Sequence, residues 1–210
     1  MFRVPAPQVS GLHRITLADV ETVIGLSNQP VFAVDPSRIQ QDLQQAFPLM
    51  SAITVEVKIP AAVIVNVAER TPVIVWKDGD NELWVDQQGV AFPPRGEPGK
   101  LIAVEGQIDT PVITSTAGSA APFIDPQMVI AIQEMARMAP KKVTMVYDAE
   151  HGLGWSDARG WEVFFGMDVS DMETKLSVYS ALVKKLKADG TQPAFISVEY
   201  ANAPYYRMER

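Results

Sequence analysis

Residues 53–72 run ITVEVKIPAAVIVNVAERTP, two alternating stretches set around a proline. Ile53, Val55, Val57 and Ile59 alternate with Thr54, Glu56 and Lys58, so at a period of two every apolar side chain of the first stretch falls on one face. Val63, Val65 and Val67 repeat the pattern, and the short break at Pro60 and Ala61 predicts an antiparallel pair. One face of that pair is wet; the other needs a cover, and the cover lies upstream. Asp35 before Pro36 is a strong helix start, because the carboxylate accepts from free backbone donors and proline needs none at the first position. Ile39, Leu43, Ala46 and Phe47 follow as one apolar stripe that Pro48 terminates. Earlier still, Thr16 caps a shorter helix bearing Val20, Val23 and Ile24, after an extended, proline-bearing start over Val4 to Gly11. The order is strand, helix, helix, strand, strand: a small sheet with two helices on one side.

From Thr71 onward the texture changes to short strands and many turns. Val73 to Trp76 and Leu83 to Asp86 flank Lys77-Asp78-Gly79-Asp80, a hairpin whose Asp-Gly accepts positive φ. Phe92 to Gly99, with three prolines and two glycines, is a loop, and Leu101 to Val104 a short strand. Thr114 to Pro122 reads as a small, flexible segment. Asp125-Pro126 opens a helix with Val129, Ile132, Met135 and Ala136 inward, ending before Pro140. Val143 to Tyr147 and Trp161 to Phe165 are strands joined by a glycine-rich connection. Ser170 and Glu173 form a capping box for a helix carrying Leu176, Tyr179, Val183 and Leu186 until Gly190. A last strand, Phe195 to Tyr200, runs into an aromatic tail with Tyr205 and Tyr206.

Composition narrows the function. The chain has 210 residues, 47% hydrophobic and 20% charged, which is the balance of a folded protein. A net charge of −7 with no basic stripe disfavours nucleic acid. With no cysteine there are no disulfides and no thiolate chemistry. The two histidines, His13 and His151, lack any metal-ligand spacing, and no glycine fingerprint for phosphate follows a strand. His151 near Asp148 and Glu150 reads as a solvated turn, and Trp76 with Trp84 as cross-strand packing rather than a sugar platform. No catalytic residue, metal site or cofactor is assigned.

The first domain resembles a POTRA domain. Val9-Ser10-Gly11 is similar to that family's opening V-x-G, Val31 to Asp35 to the strand before its second helix, and Phe47-Pro48 to the close of that helix. Ile59-Pro60 with Val67-Ala68-Glu69-Arg70-Thr71-Pro72 resembles the signature found in the bacterial cell-division family FtsQ/DivIB. Trp84 to Phe92 is similar to that family's strand and D-x-x-G-x-x-F turn, which opens its second, so-called β domain. Ile196 to Asn202 is similar to its I-D-x-R-Y-x-N strand. The resemblance implies an α+β chain with a POTRA domain at 1–72 and a β domain at 73–210, its sheet mainly antiparallel and ending in an edge strand. It also implies a single-pass protein of the cell membrane, its extracytoplasmic part seen here and its transmembrane helix encoded upstream of Met1.

The function implied is a non-catalytic scaffold of the division machinery that binds FtsB/DivIC-like and FtsL-like partners by strand addition. Its partner-binding positions would be Ile196, Val198, Glu199, Tyr200, Asn202, Tyr205 and Tyr206. Period two gives Ile196 and Val198 a competing reading as core, which leaves Tyr205 and Tyr206 as the exposed rings. Glu199 stands where the family carries arginine, and Pro204 removes one donor from the ribbon. The alternatives are an extracytoplasmic hydrolase carrying a POTRA-like domain and a POTRA module of outer-membrane assembly or secretion. The first needs a carboxylate cluster in the turn-rich half; the second lacks its β-barrel region.

Overall fold

The computed structural model describes residues 6–26, 29–106, 122–141 and 143–209. Thr114 to Ala121 of the expected flexible segment thus lie outside the described residues. The chain forms two compact units. One holds the residues up to Thr71 together with Phe92–Gly99; the other holds Pro72–Ala91 and the described chain from Lys100 on, including everything from Pro122.

In the first unit, β1 (Gln8–Ser10), α1 (Leu17–Ile24), α2 (Pro36–Ala46), β2 (Met50–Lys58) and β3 (Ala62–Glu69) follow in the expected order. The sheet order is β1-β3-β2, with β1 parallel and β2 antiparallel to β3. Val57 lies opposite Val63, Val55 opposite Val65 and Ile53 opposite Val67, so the valines of β3 form a buried floor, and Val20, Ile39 and Leu43 of the two helices are buried as well. Thr16 and Asp19 form a reciprocal capping box on α1, and the Asp35 carboxylate accepts from the Ser37 and Arg38 N–H groups at the start of α2.

Two expectations need correction. Ile59 leaves the apolar face of β2, because it sits at the hairpin tip and is 82% exposed. Val31–Ala33 is a 3₁₀ turn rather than a strand, a three-residue bridge from α1 into the Asp35 cap.

The E-R-x-P stretch has a physical role here. The Glu69 carboxylate accepts from the backbone N–H groups of His13, Arg14 and Ile15 at 2.8 to 3.1 Å, tying the connection after β1 to the end of β3. Burial pushes this carboxyl up, but the three backbone donors outweigh it and hold it below the usual carboxylate range. Gly11, at φ +83°, lets the chain cross β3 so closely that a Cβ would stand 1.9 Å from the Val67 carbonyl oxygen.

Among the described residues, the second unit carries one mixed nine-stranded sheet backed by two helices. The large sheet and the helices on it are formed by β4 (Pro72–Asp78), β5 (Asn81–Asp86), β6 (Ala91–Phe92), β7 (Ile102–Gly106), α3 (Pro126–Met138), β8 (Thr144–Asp148), β9 (Gly152–Ser156), β10 (Glu162–Gly166), α4 (Met172–Ala188), β11 (Phe195–Ser197) and β12 (Tyr205–Arg207). The strand order is β12-β11-β10-β9-β8-β7-β4-β5-β6. β4, β7 and β8 run parallel to one another, as do β10 and β11, while the remaining registered pairs are antiparallel. Both helices share one core with one face of the sheet: Val129, Ile132 and Met135 of α3 and Leu176, Tyr179, Val183 and Leu186 of α4 pack on Trp76, Val104, Met145, Leu153, Trp155, Val163, Phe165 and Ile196.

The turn after β5 explains its D-x-x-G-x-x-F spacing. Asp86 accepts from the Gln88 and Val90 N–H groups at 2.9 Å each, and the Gly89 carbonyl accepts from Phe123 and Ile124. Gly89, at φ +76°, would place a Cβ 1.9 Å from the Ile124 carbonyl oxygen, so only glycine admits that approach.

Three further readings change. The glycine-rich connection between β8 and β10 is itself a strand, β9, in which Leu153 and Trp155 enter the core while Gly152, Gly154 and Ser156 face the other way. Trp76 and Trp84 are both 2% exposed, but Trp76 lies opposite Leu83 and Trp84 opposite Val75, so they occupy opposite faces and do not pack as a pair. Helix α4 starts from Asp171 in the left-handed region at φ +55° with no side-chain cap; Ser170 instead donates its N–H to Asp168. What holds this entry is a buried cation: Lys175, 5% exposed, donates from Nζ to the carbonyls of Phe165 at 2.8 Å and Asp168 at 2.6 Å.

Candidate protein-binding edge

The last two strands form the margin of the large sheet. β11 lies between β10, to which it is parallel, and β12, to which it is antiparallel; β12 ends the strand order. A single strand over Phe195 to Tyr200 is therefore replaced by a short inner strand, a turn and a short rim. Pairing on both sides explains the burial of the first candidate residues. Ile196 and Val198 are 0% exposed in the core, with the Val198 N–H donated to the Phe164 carbonyl at 2.8 Å. They are core in this structure, as their period-two spacing allowed.

The other candidates are on the surface. Tyr200 is 64% exposed, Tyr205 47% and Tyr206 44%, and Glu199 and Asn202 are exposed beside them. Ala203 closes the turn by donating its N–H to the Tyr200 carbonyl. Pro204 precedes the first residue of β12, so its missing donor falls outside the rim strand.

Register assigns the two adjacent tyrosines to different faces. Tyr206 lies opposite Ile196 and shares its helix-covered face; Tyr205 and Arg207 lie opposite Ser197 and Phe195 and share the face that carries no described helix. There the Phe195 ring stacks on Phe164 at 5.8 Å and lies 6.2 Å from Tyr205, and the Arg207 guanidinium sits 4.6 Å over Phe195. His151 completes this aromatic group, 5.1 Å from Phe164 and 5.4 Å from Phe195. Its Nδ1 lies 2.8 Å from Asp148, whose carboxylate also accepts from the Glu150 and His151 N–H groups. Burial pushes Asp148 up, yet the His151 ring and the two backbone donors pull it below the usual carboxylate range. The turn reading of this cluster stands, with the ring anchored to aromatics. Among the described residues, no group of three or more histidines and carboxylates is placed to hold a metal ion.

Gly166 sets Glu199. At φ +92°, its position would put a Cβ 2.7 Å from the Glu199 Cγ, so the side chain at 199 lies directly across the end of β10. The margin is further braced by a polar network that sequence reasoning missed. Asp157, 7% exposed, accepts from Arg159 Nε at 2.6 Å, from Arg159 N at 2.9 Å and from the Tyr179 hydroxyl at 3.1 Å. Trp161 Nε1 donates to the same hydroxyl at 3.2 Å, and Gln192 Nε2 donates to the Arg159 carbonyl at 2.8 Å. Burial pushes Asp157 up, but the Arg159 guanidinium and backbone donor dominate and hold it below the carboxylate range. Burial also pushes the Tyr179 hydroxyl up. The network ties the β9–β10 turn to α4 and to the segment entering β11.

This fold, a strand-helix-helix-strand-strand module followed by a helix-backed mixed sheet, is that of the POTRA-bearing division proteins. Residues 5–70 match the model of the POTRA domain, FtsQ-type, and residues 74–201 that of cell division protein FtsQ/DivIB, C-terminal. The chain belongs to the FtsQ/DivIB family of cell division proteins, which are division-site membrane proteins of scaffold type. Cell division protein FtsQ of Chloroflexus aggregans is 22% identical over 218 residues, a match covering 98% of this chain and 74% of that protein. The FtsQ of Streptomyces coelicolor is 28% identical over 142 residues, 67% of this chain and 53% of that protein. The matched C-terminal model ends before β12 begins. Among the described residues, no helix is long and apolar enough to cross a membrane.

Proposed function

We propose that this chain is a non-catalytic scaffold of the division machinery that captures an FtsB/DivIC-like protein, together with an FtsL-like partner, by adding a strand of that partner to β12. The observation that carries the reading is the terminal place of β12 in the sheet, with its two tyrosines half exposed. A terminal strand points alternate N–H and C=O groups at solvent, and an extended segment satisfies them without a pocket. Tyr200, Asn202, Tyr205 and Tyr206 are the side chains that choose the partner, with Glu199 at the flank favouring a basic partner residue where the family has arginine. The portion described here works on the extracytoplasmic side of the cell membrane at the division site, tethered through a transmembrane helix encoded upstream.

The test is binding to a separately made FtsB- or DivIC-like ectodomain, measured by calorimetry with Tyr200→Glu and Tyr206→Glu variants. Charged replacement at either tyrosine is expected to weaken binding at least tenfold. Undiminished affinity in both would remove this rim as the partner surface.

A further inference from the structure

The two most exposed large apolar side chains of the described residues lie toward one end of the small sheet. The hairpin joining β2 to β3 turns at Ile59-Pro60-Ala61, and Ile59 is 82% exposed. Phe32, 68% exposed, sits on the turn joining α1 to α2. Helix α1 starts beside Ile15, whose N–H is donated to Glu69, and α2 finishes beside Met50, which lies opposite Glu69. The turn between the helices therefore points away from Glu69 and toward the hairpin.

Strand direction shows that the chain enters at this same end. β1 runs parallel to β3 with Gln8 opposite Ile64, two residues from the start of β3 at Ala62. At ~3.3 Å per residue, β1 begins within ~7 Å of the level of the hairpin. Seven residues of the chain precede Gln8, and fully extended they reach ~25 Å at most. A membrane helix ending close to Met1 thus keeps the hairpin end, and not the Glu69 end, turned to the bilayer. Resting on the upstream transmembrane helix of the function proposed above, we propose that the β2–β3 tip is a lipid contact: Ile59 seats at the boundary between headgroups and acyl chains of that bilayer and fixes the tilt of the first unit on it. The chemistry of the tip suits this surface. Pro60 has no N–H to leave unpaired in an apolar phase, and Ala61 and Ala62 follow it. Lys58 pairs with Glu56 at 3.4 Å, so the approach brings no net charge of either sign. A single isoleucine binds weakly from solution, but a tether holds the tip at high effective concentration, so a weak contact is enough to orient the unit.

The test uses the full-length protein, with its upstream segment, in phosphatidylcholine nanodiscs. These 210 residues contain no cysteine, so Ala61→Cys beside the tip, or Ser51→Cys at the other end of β2, takes a single nitroxide among them. Electron paramagnetic resonance then compares collisions with oxygen, which partitions into lipid, and with a water-soluble nickel chelate. The oxygen-to-nickel ratio at Ala61→Cys is expected to exceed that at Ser51→Cys at least threefold, and to fall to the Ser51→Cys value when Ile59→Asp is added at its exposed position. Equal ratios at the two positions, or a high ratio that survives Ile59→Asp, overturn the proposal. Ile59→Asp should leave binding of the FtsB- or DivIC-like ectodomain in solution unchanged within twofold; a tenfold loss would assign the tip to a protein partner and overturn the lipid contact. A chain that never enters the discs removes the upstream helix, and this proposal with it, whereas a chain that enters them with equal ratios fails at the tip alone.

Discussion

The Asp157 network is the place to test whether the margin of the sheet is built as described. Replacing Asp157 by Asn keeps the shape of the side chain and removes its charge, so two Arg159 bonds lose their charge assistance and an amide N–H₂ is turned toward donors. Hydrogen bonds to charged groups contribute ~1.5–3 kcal/mol each, and the Arg159 side chain keeps 29% of its exposure, so the lower end applies and the net loss is about 2 kcal/mol at pH 7. In a unit of this size that corresponds to a fall of roughly 6 °C in Tm. The assay is favourable because all four tryptophans, Trp76, Trp84, Trp155 and Trp161, lie in the second unit, so urea unfolding followed by tryptophan fluorescence reports on it alone. The pH dependence gives the sign. The folded carboxyl titrates below its unfolded value of about 3.9, so its contribution is complete above pH ~5 and disappears as the pH falls through the folded value. The gap between the parent chain and Asp157→Asn should therefore be widest near neutrality and shrink as the pH falls below the unfolded value of about 3.9. A gap under ~0.5 kcal/mol at pH 7, or one that grows on acidification, would refute this account of the network.

Other perturbations follow from single contacts. Gly11→Ala forces a side chain into the Val67 carbonyl at positive φ and should cost the first unit more than ~2 kcal/mol, read by circular dichroism in urea. Lys175→Met leaves the Phe165 and Asp168 carbonyls facing an apolar group, so a loss of about 2 kcal/mol is expected in the same fluorescence assay; a stability gain would show that desolvating the ammonium costs more than its bonds return. Glu69→Gln should destabilise the first unit above pH ~5 and become neutral on acidification, because the parent carboxyl also titrates below its unfolded value. Gly154→Val puts a Cβ 2.2 Å from the Val163 carbonyl oxygen and into the Phe164 ring, and should disorder the β9–β10 hairpin as seen by accelerated amide exchange at Trp155 and Val163.

The first unit was legible because its signals are local and redundant. Alternation in β2 and β3, Asp35-Pro36 and the Thr16 cap each specify one element, and all agree on one face. The second unit was legible in its helices and its early strands, and misread where side chains are small or stretches short. In β9 two glycines occupy the outward positions, so the alternation survives only in Leu153 and Trp155, a signal of two residues. β12 is three residues long and follows a turn and a proline, which reads as a tail. The Ser170–Glu173 spacing satisfied a capping rule that the chain does not use, because the buried Lys175 already anchors the approach to α4. Register across the sheet is non-local, so the Asp157 network was not visible before the strands were paired.

The brevity of β12 bears on how such a rim works. Three residues expose two or three main-chain groups, and at a net ~0.5–1.5 kcal/mol each these alone supply only weak binding. The same shortness protects the chain from itself, since long flat edges template pairing between copies, and here Pro204 and Arg207 bound the strand at both ends. Under the proposed strand addition, specific recognition comes from rings on both faces. Tyr206 on the helix-covered side and Tyr205 with Arg207 on the other flank any added strand, so successive partner residues meet different surfaces. A partner register slipped by one residue exchanges every one of those contacts, and the two faces together therefore select one pairing where a bare edge would accept several.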